Sequence, residues 1–548
     1  MKILSAAEMR AADAATTSEF GIASMTLMEA AGAAVARFVL AELPQAALGR
    51  LRVVALCGKG NNGGDGYVAA RVLHQAGCDV AVMLLGHAAE VKGDARMALE
   101  RLEAAGVIPL EAPDEAAFAR AEAVRLLEGA QLILDAVLGT GFQSPMRGVA
   151  TVAGEWLRAH AASPVVSVDL PSGWDADNRA IRQDGAYRSD AVVTFTAPKL
   201  AHVFGALTAG PVVMAGIGSP TAAVRSATGL HWAGSAKRMT ETPRPPESNK
   251  GKFGHVGMVT GARGRAGAAA MASYAALRAG AGLVTAAVPA SILTTVAAVA
   301  PELMTEPLEE TAAGSIALAN LEGDRGRALL EKRSVIAIGP GLGQEPEAQQ
   351  FALELIRRCG EAPTPIAMVL DADCLNAIAQ HGVVLDGRGR TLVLTPHPGE
   401  MARLVGKTIP EVEADREGIA RRYATEHHVT LVLKGWRTLI AHPDGRLGVN
   451  TTGNPGLAKG GSGDVLTGLT AGLLAQYKDN PGAAVEAAVY LHGLGADFAV
   501  AATDEHTMLA TEVCTHLWQA YRFRADREDL TWITGLPGML KLRIQENA

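Results

Sequence analysis

Aromatic residues make up only 4% of this 548-residue chain, too few to build the stacking platforms on which single-stranded nucleic acids are held. Positive charge is not in excess either. Lys and Arg number 50 against 57 Asp and Glu, a net charge of −7, which gives no general attraction to a phosphate backbone or an anionic membrane. Cysteine is scarce: Cys57, Cys78, Cys359, Cys374 and Cys514 are scattered and form no C-x-x-C pair, so neither a disulfide framework nor a zinc ribbon is expected. No run approaches the roughly 18 uninterrupted apolar residues of a membrane span, and the first five residues lack an apolar signal region. The expectation is a soluble cytoplasmic protein whose partners are small molecules, with no nucleic acid and no membrane. What the chain does have is 49% hydrophobic residues, which with so few aromatics must be mainly aliphatic, the composition of stacked α/β layers.

At this length two domains are the default. Ser5-Ala6-Ala7-Glu8 and Thr26-Leu27-Met28-Glu29 both fit a helix capping box. Short apolar runs then alternate with helical periodicity at 51–57, 80–85, 132–138, 165–168 and 191–196, the signature of a parallel sheet. Periodicity weakens near 221–252, where the proline-rich stretch at 242–247 reads as a semi-rigid spacer. A second series follows at 255–260, 283–288, 334–338, 366–370, 391–394 and 429–433. The expected organisation is a first domain over 1–225, a linker over 226–250, a second domain over 251–525 and a loosely ordered extension over 526–548, the whole being α/β with two domains.

Ligand loops in such sheets lie beyond the carboxyl ends of the strands. In the first half, Gly58-Lys59-Gly60-Asn61-Asn62-Gly63-Gly64-Asp65-Gly66 follows a strand and leads into a helix expected from Tyr67 to Gln75. Glycines let backbone N–H groups crowd an anion, and a helix N-terminus adds partial positive charge. The loop has neither the Walker ending nor the dinucleotide spacing. Asp135 and Asp169 end two further strands. Either alone is equally well a turn cap, but with the asparagine amides and the Ser172 hydroxyl they make hard oxygen ligands suited to an alkali or alkaline-earth ion.

In the second half, Gly460-Gly461-Ser462-Gly463-Asp464 opens an apolar helix, so its amides can cradle a transferring phosphoryl group with Asp464 beside them as a base. Gly339-Pro340-Gly341-Leu342-Gly343 and Lys434-Gly435-Trp436-Arg437-Thr438 end other strands. Asp371 and Asp373 orient water or magnesium, or merely cap a helix. His397 is fixed between prolines, whereas His74, His255 and His492 read as packing or surface residues. Lys459 either favours phosphate or points outward.

Four motifs in order, LMEAAG from Leu27, the GKGNNGGDG loop, Asp135 with Gly139-Thr140-Gly141, and Asp169-Leu170-Pro171-Ser172-Gly173, resemble the NAD(P)H-hydrate epimerase domain of the YjeF family. From about 250 to 517 the chain is similar to the ribokinase-like NAD(P)H-hydrate dehydratase domain, through GHV at Gly254, AALRAGAGLV from Ala275, PELM from Pro301, GPGLG, DAD, TPHPGE, KG and GGSGDVL. The resemblance implies an N-terminal Rossmann-like αβα domain and a C-terminal ribokinase-like αβα domain. It implies that Asn61, Asn62, Gly63, Gly64, Asp65, Gly139, Thr140, Gly141, Phe142, Gln143, Ser144, Pro145 and Asp169 line the hydrate pocket of the first, with Asp169 shuttling a proton, and that Asn62, Asp135 and Ser172 bind potassium. In the second it implies Gly341, His397 and Asp464 on the hydrate, Asp464 as the catalytic base, and Lys434, Gly435, Trp436, Arg437, Thr438 and Gly463 on the nucleotide, ADP or ATP with Mg2+. It also implies metabolite repair of NAD(P)H hydrates by a homo-oligomer. The alternative is a small-molecule hydroxyl kinase fused to a non-catalytic binding domain.

Overall fold

Apolar runs that end in glycine loops become parallel strands buried on both faces. The computed structural model describes residues 1–42, 51–527 and 529–540. It divides into two units, Met1–Thr228 with Arg524–Ala548, and Gly229–Phe523.

In the first unit β1 (Arg52–Cys57), β2 (Asp79–Leu84), β3 (Leu110–Glu111), β4 (Leu132–Ala136), β5 (Val165–Val168), β6 (Ala191–Phe195) and β7 (Val212–Ala215) run parallel in the order β7-β6-β5-β4-β1-β2-β3. The chain leaves β1 in one direction and returns at β4 in the other, so a crevice opens between the carboxyl ends of these two strands. Ser5 caps the helix Ala6–Ser18 in a complete capping box with Glu8, as expected. The next helix is Ser24–Glu42, which starts before the capping box expected at Thr26. By length and composition it is the one helix among the described residues apolar enough to cross a membrane, and half of its apolar window is buried in this fold. Its Gly32 lies so close to Val68 that a Cβ there would sit 2.4 Å from the valine Cβ.

The second unit carries β8 (Leu230–Trp232), β9 (His255–Val259), β10 (Leu283–Pro289), β11 (Met304–Leu308), β12 (Val335–Ile338), β13 (Ala367–Leu370), β14 (Leu392–Leu394), β15 (Thr430–Leu433), β16 (Leu439–Ala441) and β17 (Leu447–Val449). Their order is β11-β10-β9-β12-β13-β14-β15-β16-β17-β8. Pairing is parallel except for β16, which is antiparallel to both β15 and β17. Here the direction reverses between β9 and β12. Gly261 after β9 donates its N–H to the Pro340 carbonyl after β12 at 2.9 Å, closing the base of the second crevice.

Two stretches depart from the sequence reading. The expected linker over 226–250 contains β8, an edge strand paired with β17. Trp232 on that strand is buried edge-on against Tyr490 and donates to Thr451, and Ala233–Thr240 continues as a 3-10 helix. A three-residue edge strand is too short to show a period, which is why it read as loop. The expected C-terminal extension contains Asp526–Arg527 and Leu530–Thr534, the latter antiparallel to β7 with Trp532 and Ile533 buried. Gly535 and Pro537 suggested looseness, but the apolar residues ahead of them complete an edge. Residues 541–548 of that extension lie outside the described residues.

Candidate active sites

The crevice of the first unit holds a cavity of about 850 Å³. Gly58 to Asn62, Asp65, Gly139, Thr140, Gly141, Phe142 and Asp169 are among the residues that line it. The helix behind the glycine loop begins at Asn61 rather than Tyr67, so most of the motif is that helix's first two turns. Gly63 and Gly64 are buried there. A Cβ on Gly63 would stand 1.9 Å from the Gly58 carbonyl oxygen, and one on Gly139 would stand 2.9 Å from Asn62 Oδ1 and 3.1 Å from Asp169 Oδ2. These glycines therefore allow close backbone approach, and Gly63, Gly64, Gln143, Ser144 and Pro145 are not among the residues lining the cavity.

Asp169 ends β5 with φ at +66°, a left-handed conformation that costs on the order of 1 kcal/mol or more and persists only when its surroundings impose it. Its Oδ2 accepts from the Thr140 amide at 2.9 Å and the Thr140 hydroxyl at 2.5 Å. Its Oδ1 accepts from Thr194 at 2.9 Å and from Lys199 Nζ at 2.7 Å. Burial alone would raise this carboxyl, but the Lys199 ammonium and these hydrogen bonds hold it well below the usual carboxylate range. His202 fixes the backbone of the same pair. Its Nδ1 accepts from the Lys199 amide, so Nε2 carries the proton donated to the Asp169 carbonyl at 2.7 Å. Burial, with the Lys199 charge, pushes His202 down to about 4 and keeps it neutral.

Lys199 and Asp13 had no motif to announce them, yet both line the cavity. Burial pushes Asp13 up to about 6, with Lys199 opposing and Asp169 reinforcing. Asp65 is driven well above the ordinary range by burial and by the charges of Asp169 and Asp13. Of the charged residues lining the cavity, Asp169 is thus held ionised beside Lys199 and Asp65 is disposed to keep its proton.

Behind it, Asp135 Oδ1 accepts from the Ser172 hydroxyl at 2.5 Å, and Oδ2 accepts from the Ser172 amide at 2.8 Å and Ser167 at 3.0 Å. Burial pushes Asp135 up to about 6 despite those bonds. It forms no ion pair among the described residues. Asn62 leaves its side-chain NH2 buried without a partner, and the Ser172 hydroxyl lies 3.3 Å from the Leu138 carbonyl oxygen. A buried carboxylate, an amide, a hydroxyl and a carbonyl form a donor set that fits a hard cation.

In the second unit the helix Ser462–Gln476 starts at Gly461, whose φ of +98° turns the chain into it. Asp464 stands in the first turn, half-buried, and no hydrogen bond reaches its carboxylate among the described residues. Burial and the Asp371 and Asp373 charges push it up to about 6, against Lys434 and against the helix dipole. Lys434 Nζ donates to Asp371 Oδ1 at 3.0 Å and lies 3.9 Å from Glu400. The Thr467 hydroxyl holds Asp371 Oδ2 at 2.7 Å. A Cβ on Gly463 would face only Lys434 Nζ at 3.5 Å and Asp371 Oδ2 at 3.9 Å, so that side of the helix start is open. Asp373 Oδ2 accepts from the Gly343 amide at 2.8 Å, and its Oδ1 meets only Gln344 at 3.4 Å.

His397 caps the helix Pro398–Val405, its Nδ1 accepting from the Gly399 and Glu400 amides, while Nε2 lies 3.4 Å from Glu400 Oε1. Gly341 adopts φ of +63° against Ala268 and Arg265. Trp436 is exposed, with the Arg437 guanidinium 4.4 Å from its ring centroid and bonded to the Thr451 carbonyl at 2.6 Å. Gly435 and Thr438 close the same turn through a 3.2 Å bond. Lys459 takes neither expected role: its ammonium ties down the carbonyls of His506 and Met508. His492, read as ordinary, is buried with its Nε2 unpartnered.

The family model described as NAD(P)H-hydrate dehydratase matches residues 256–518, and that of the YjeF-related protein N-terminus matches residues 24–201. The chain is 41% identical over 530 residues to the bifunctional NAD(P)H-hydrate repair enzyme Nnr of Moorella thermoacetica, covering 94% of this chain and 96% of the relative. It is 36% identical over 543 residues to the enzyme of the same name from Thermofilum pendens, covering 96% and 97%. A solved structure of an ADP/ATP-dependent NAD(P)H-hydrate dehydratase from Bacillus subtilis, co-crystallised with ATP/Mg2+, is 33% identical, covers 52% of this chain and 95% of that one, and has a TM-score of 0.45.

Proposed function

The chain belongs to the family of bifunctional NAD(P)H-hydrate repair enzymes, and on that premise we propose how its two sites divide the work. The first unit interconverts the R and S hydrates of NADH and NADPH. The second dehydrates the S form to NAD(P)H with ADP or ATP.

The observation that carries the second assignment is the unbonded Asp464 carboxylate at a helix start, beside Lys434 and an open Gly463. The hydrate has a hydroxyl on the ring carbon next to nitrogen, and hydroxide is a poor leaving group at neutral pH. Asp464 takes the hydroxyl proton as the oxygen attacks the terminal phosphorus of the nucleotide. The amides of 460–463 and the Lys434 ammonium stabilise the charge that develops on the phosphoryl oxygens. Phosphate then leaves with its bonding pair, pushed out by the ring nitrogen, and loss of a proton from the adjacent ring carbon restores the double bond. Gly341 and His397 bound the hydrate, with Lys434, Gly435, Trp436, Arg437, Thr438 and Gly463 around the nucleotide. Magnesium, when bound, would screen the phosphate charge, and Asp373, whose Oδ2 is paired with Arg265 at 3.4 Å and whose Oδ1 is nearly unbonded, would hold it through Oδ1.

Inversion at the same carbon needs reversible loss of the hydroxyl. Held ionised by Lys199, Asp169 is unsuited to the proton shuttle expected of it and instead stabilises the ring cation left behind. Asp65 carries the proton: its neutral carboxyl protonates the departing hydroxyl, water leaves, and water re-adds to the opposite face as the carboxylate takes a proton back. Asn62, Asp135 and Ser172 would hold potassium, which when bound fixes the loops of β4 and β5 by charge.

Incubation with mixed epimers and each nucleotide tests the reading. Recovery of the reduced-nicotinamide absorbance from both epimers with release of free phosphate is expected. A stable phosphorylated product overturns it in favour of a hydroxyl kinase.

A further inference from the structure

Three side chains outside both sites converge on one point of the second unit. His231 comes from the edge strand β8, His442 from the turn after β16, and Glu486 from the helix Pro481–Ala502. Their ligand atoms all lie within 4.8 Å of one another. His231 Nε2 is 2.5 Å and His442 Nε2 2.7 Å from the same carboxylate oxygen, Glu486 Oε1. The two rings lie nearly parallel, 6.0 Å apart, and Glu486 Oε2 accepts no hydrogen bond among the described residues. β17 passes beside the cluster with a glycine: a Cβ on Gly448 would stand 3.1 Å from Oε1 and 3.3 Å from His231 Nε2. His442 and Glu486 are buried.

A buried carboxylate is kept ionised by a charged partner, and the described residues offer Glu486 only these two imidazoles. We propose that His231, His442 and Glu486 form a binding site for a divalent transition-metal ion, of which zinc is the best match. Two imidazole nitrogens and one carboxylate oxygen are borderline ligands of the kind zinc takes, and three protein ligands leave a fourth position for water. In a tetrahedral site with bonds of about 2.0 to 2.1 Å, ligand atoms stand about 3.3 Å apart. The two nitrogen–oxygen separations need to widen by less than about 1 Å, and the two imidazole nitrogens, within 4.8 Å of each other, to settle at that spacing, within the reach of side-chain rotation. On binding, each ring offers its Nε2 lone pair and carries its proton on Nδ1, where neither ring has a bond among the described residues. The ion braces β8, the β16–β17 hairpin and the following helix, and takes no part in either reaction.

The test uses full-length protein stripped with a chelator. Zn2+ is titrated against a chromophoric competitor, and Co2+ is added separately as a spectroscopic probe. One Zn2+ per chain is expected, with Co2+ visible bands of four- or five-coordinate intensity. Glu486→Gln and the milder His231→Gln, which alters the half-buried member, should each weaken Zn2+ on the order of 100-fold and remove the Co2+ bands. Circular dichroism confirms that the variants are folded. Absence of stoichiometric uptake by the unaltered protein, or uptake unchanged in folded His231→Gln, overturns the site and leaves a hydrogen-bonded triad.

Discussion

Replacing Asp464 with Asn removes one negative oxygen and little volume, and so isolates the proton transfer. The carboxyl is raised to about 6, so at pH 7 roughly nine-tenths of it is ionised. A carboxylate with that value, unbonded and half-buried, is near the optimum for a base working at neutral pH. Its loss should lower kcat by about 10²- to 10⁴-fold, or about 2.7 to 5.4 kcal/mol at 1.36 kcal/mol per decade. Nucleotide affinity should hold or improve, because Asp464 repels phosphate and its neighbours Asp371 and Lys434 remain paired. The sign of the pH dependence follows from the same group. The base acts when ionised, so the unaltered enzyme loses dehydration about tenfold per unit as pH falls below about 6, and the Asn variant lacks that limb. The assay is nucleotide-dependent recovery of reduced-nicotinamide absorbance from the purified S hydrate, with nucleotide Kd measured alongside. An Asp464→Asn enzyme within about threefold of normal, or one that keeps the limb, refutes the assignment.

Asp65→Asn should abolish R-to-S interconversion while dehydration of pure S hydrate continues, which chromatography of the epimers reads directly. Lys199→Met strands the buried Asp169 carboxylate, a change worth about 3 to 5 kcal/mol against the first unit, to be seen as a lower denaturation midpoint that Asp169→Asn in the same chain partly restores. Gly63→Ala drives a methyl into the Gly58 carbonyl and should destabilise that unit by several kcal/mol, leaving the second unit's activity intact. Exchanging K+ for a bulky organic cation should slow epimerisation and spare dehydration; equal loss of both, or of neither, removes potassium from Asn62, Asp135 and Ser172.

The central strands were legible because their apolar runs end in glycine or aspartate. All eleven runs marked in the sequence became strands, to within a residue or two at most ends. Others were not: β3, β8, β11 and the tail pair towards the edges, and β7, β16 and β17 inside the sheets, went unmarked, all of them two to five residues long. The same holds for the sites. Glycine and strand-end aspartate announced Asp135, Asp169 and Asp464, whereas Asp13 lies mid-helix with no spacing to mark it. Lys199 did leave a trace, as the one lysine or arginine in the mainly apolar stretch from Phe195 to Phe204. A lone cation in such a run is rarely buried without a partner, and Asp169 is that partner.

The strand Leu530–Thr534 pairs with β7 across more than three hundred residues of intervening chain. The second unit is thus spliced into the first, which has no finished sheet until the tail has been made. A fragment ending near 225 would present β7 as a bare edge, a template for aggregation, so a silent preparation of it would say nothing about catalysis. Assigning epimerisation to this half requires a circularly closed version, with 524–548 joined after 228 by a short linker, or the intact polypeptide with its other site disabled. On the ribosome the order is the same: the inserted unit is free to fold first, and the unit that begins the chain is the last to be completed.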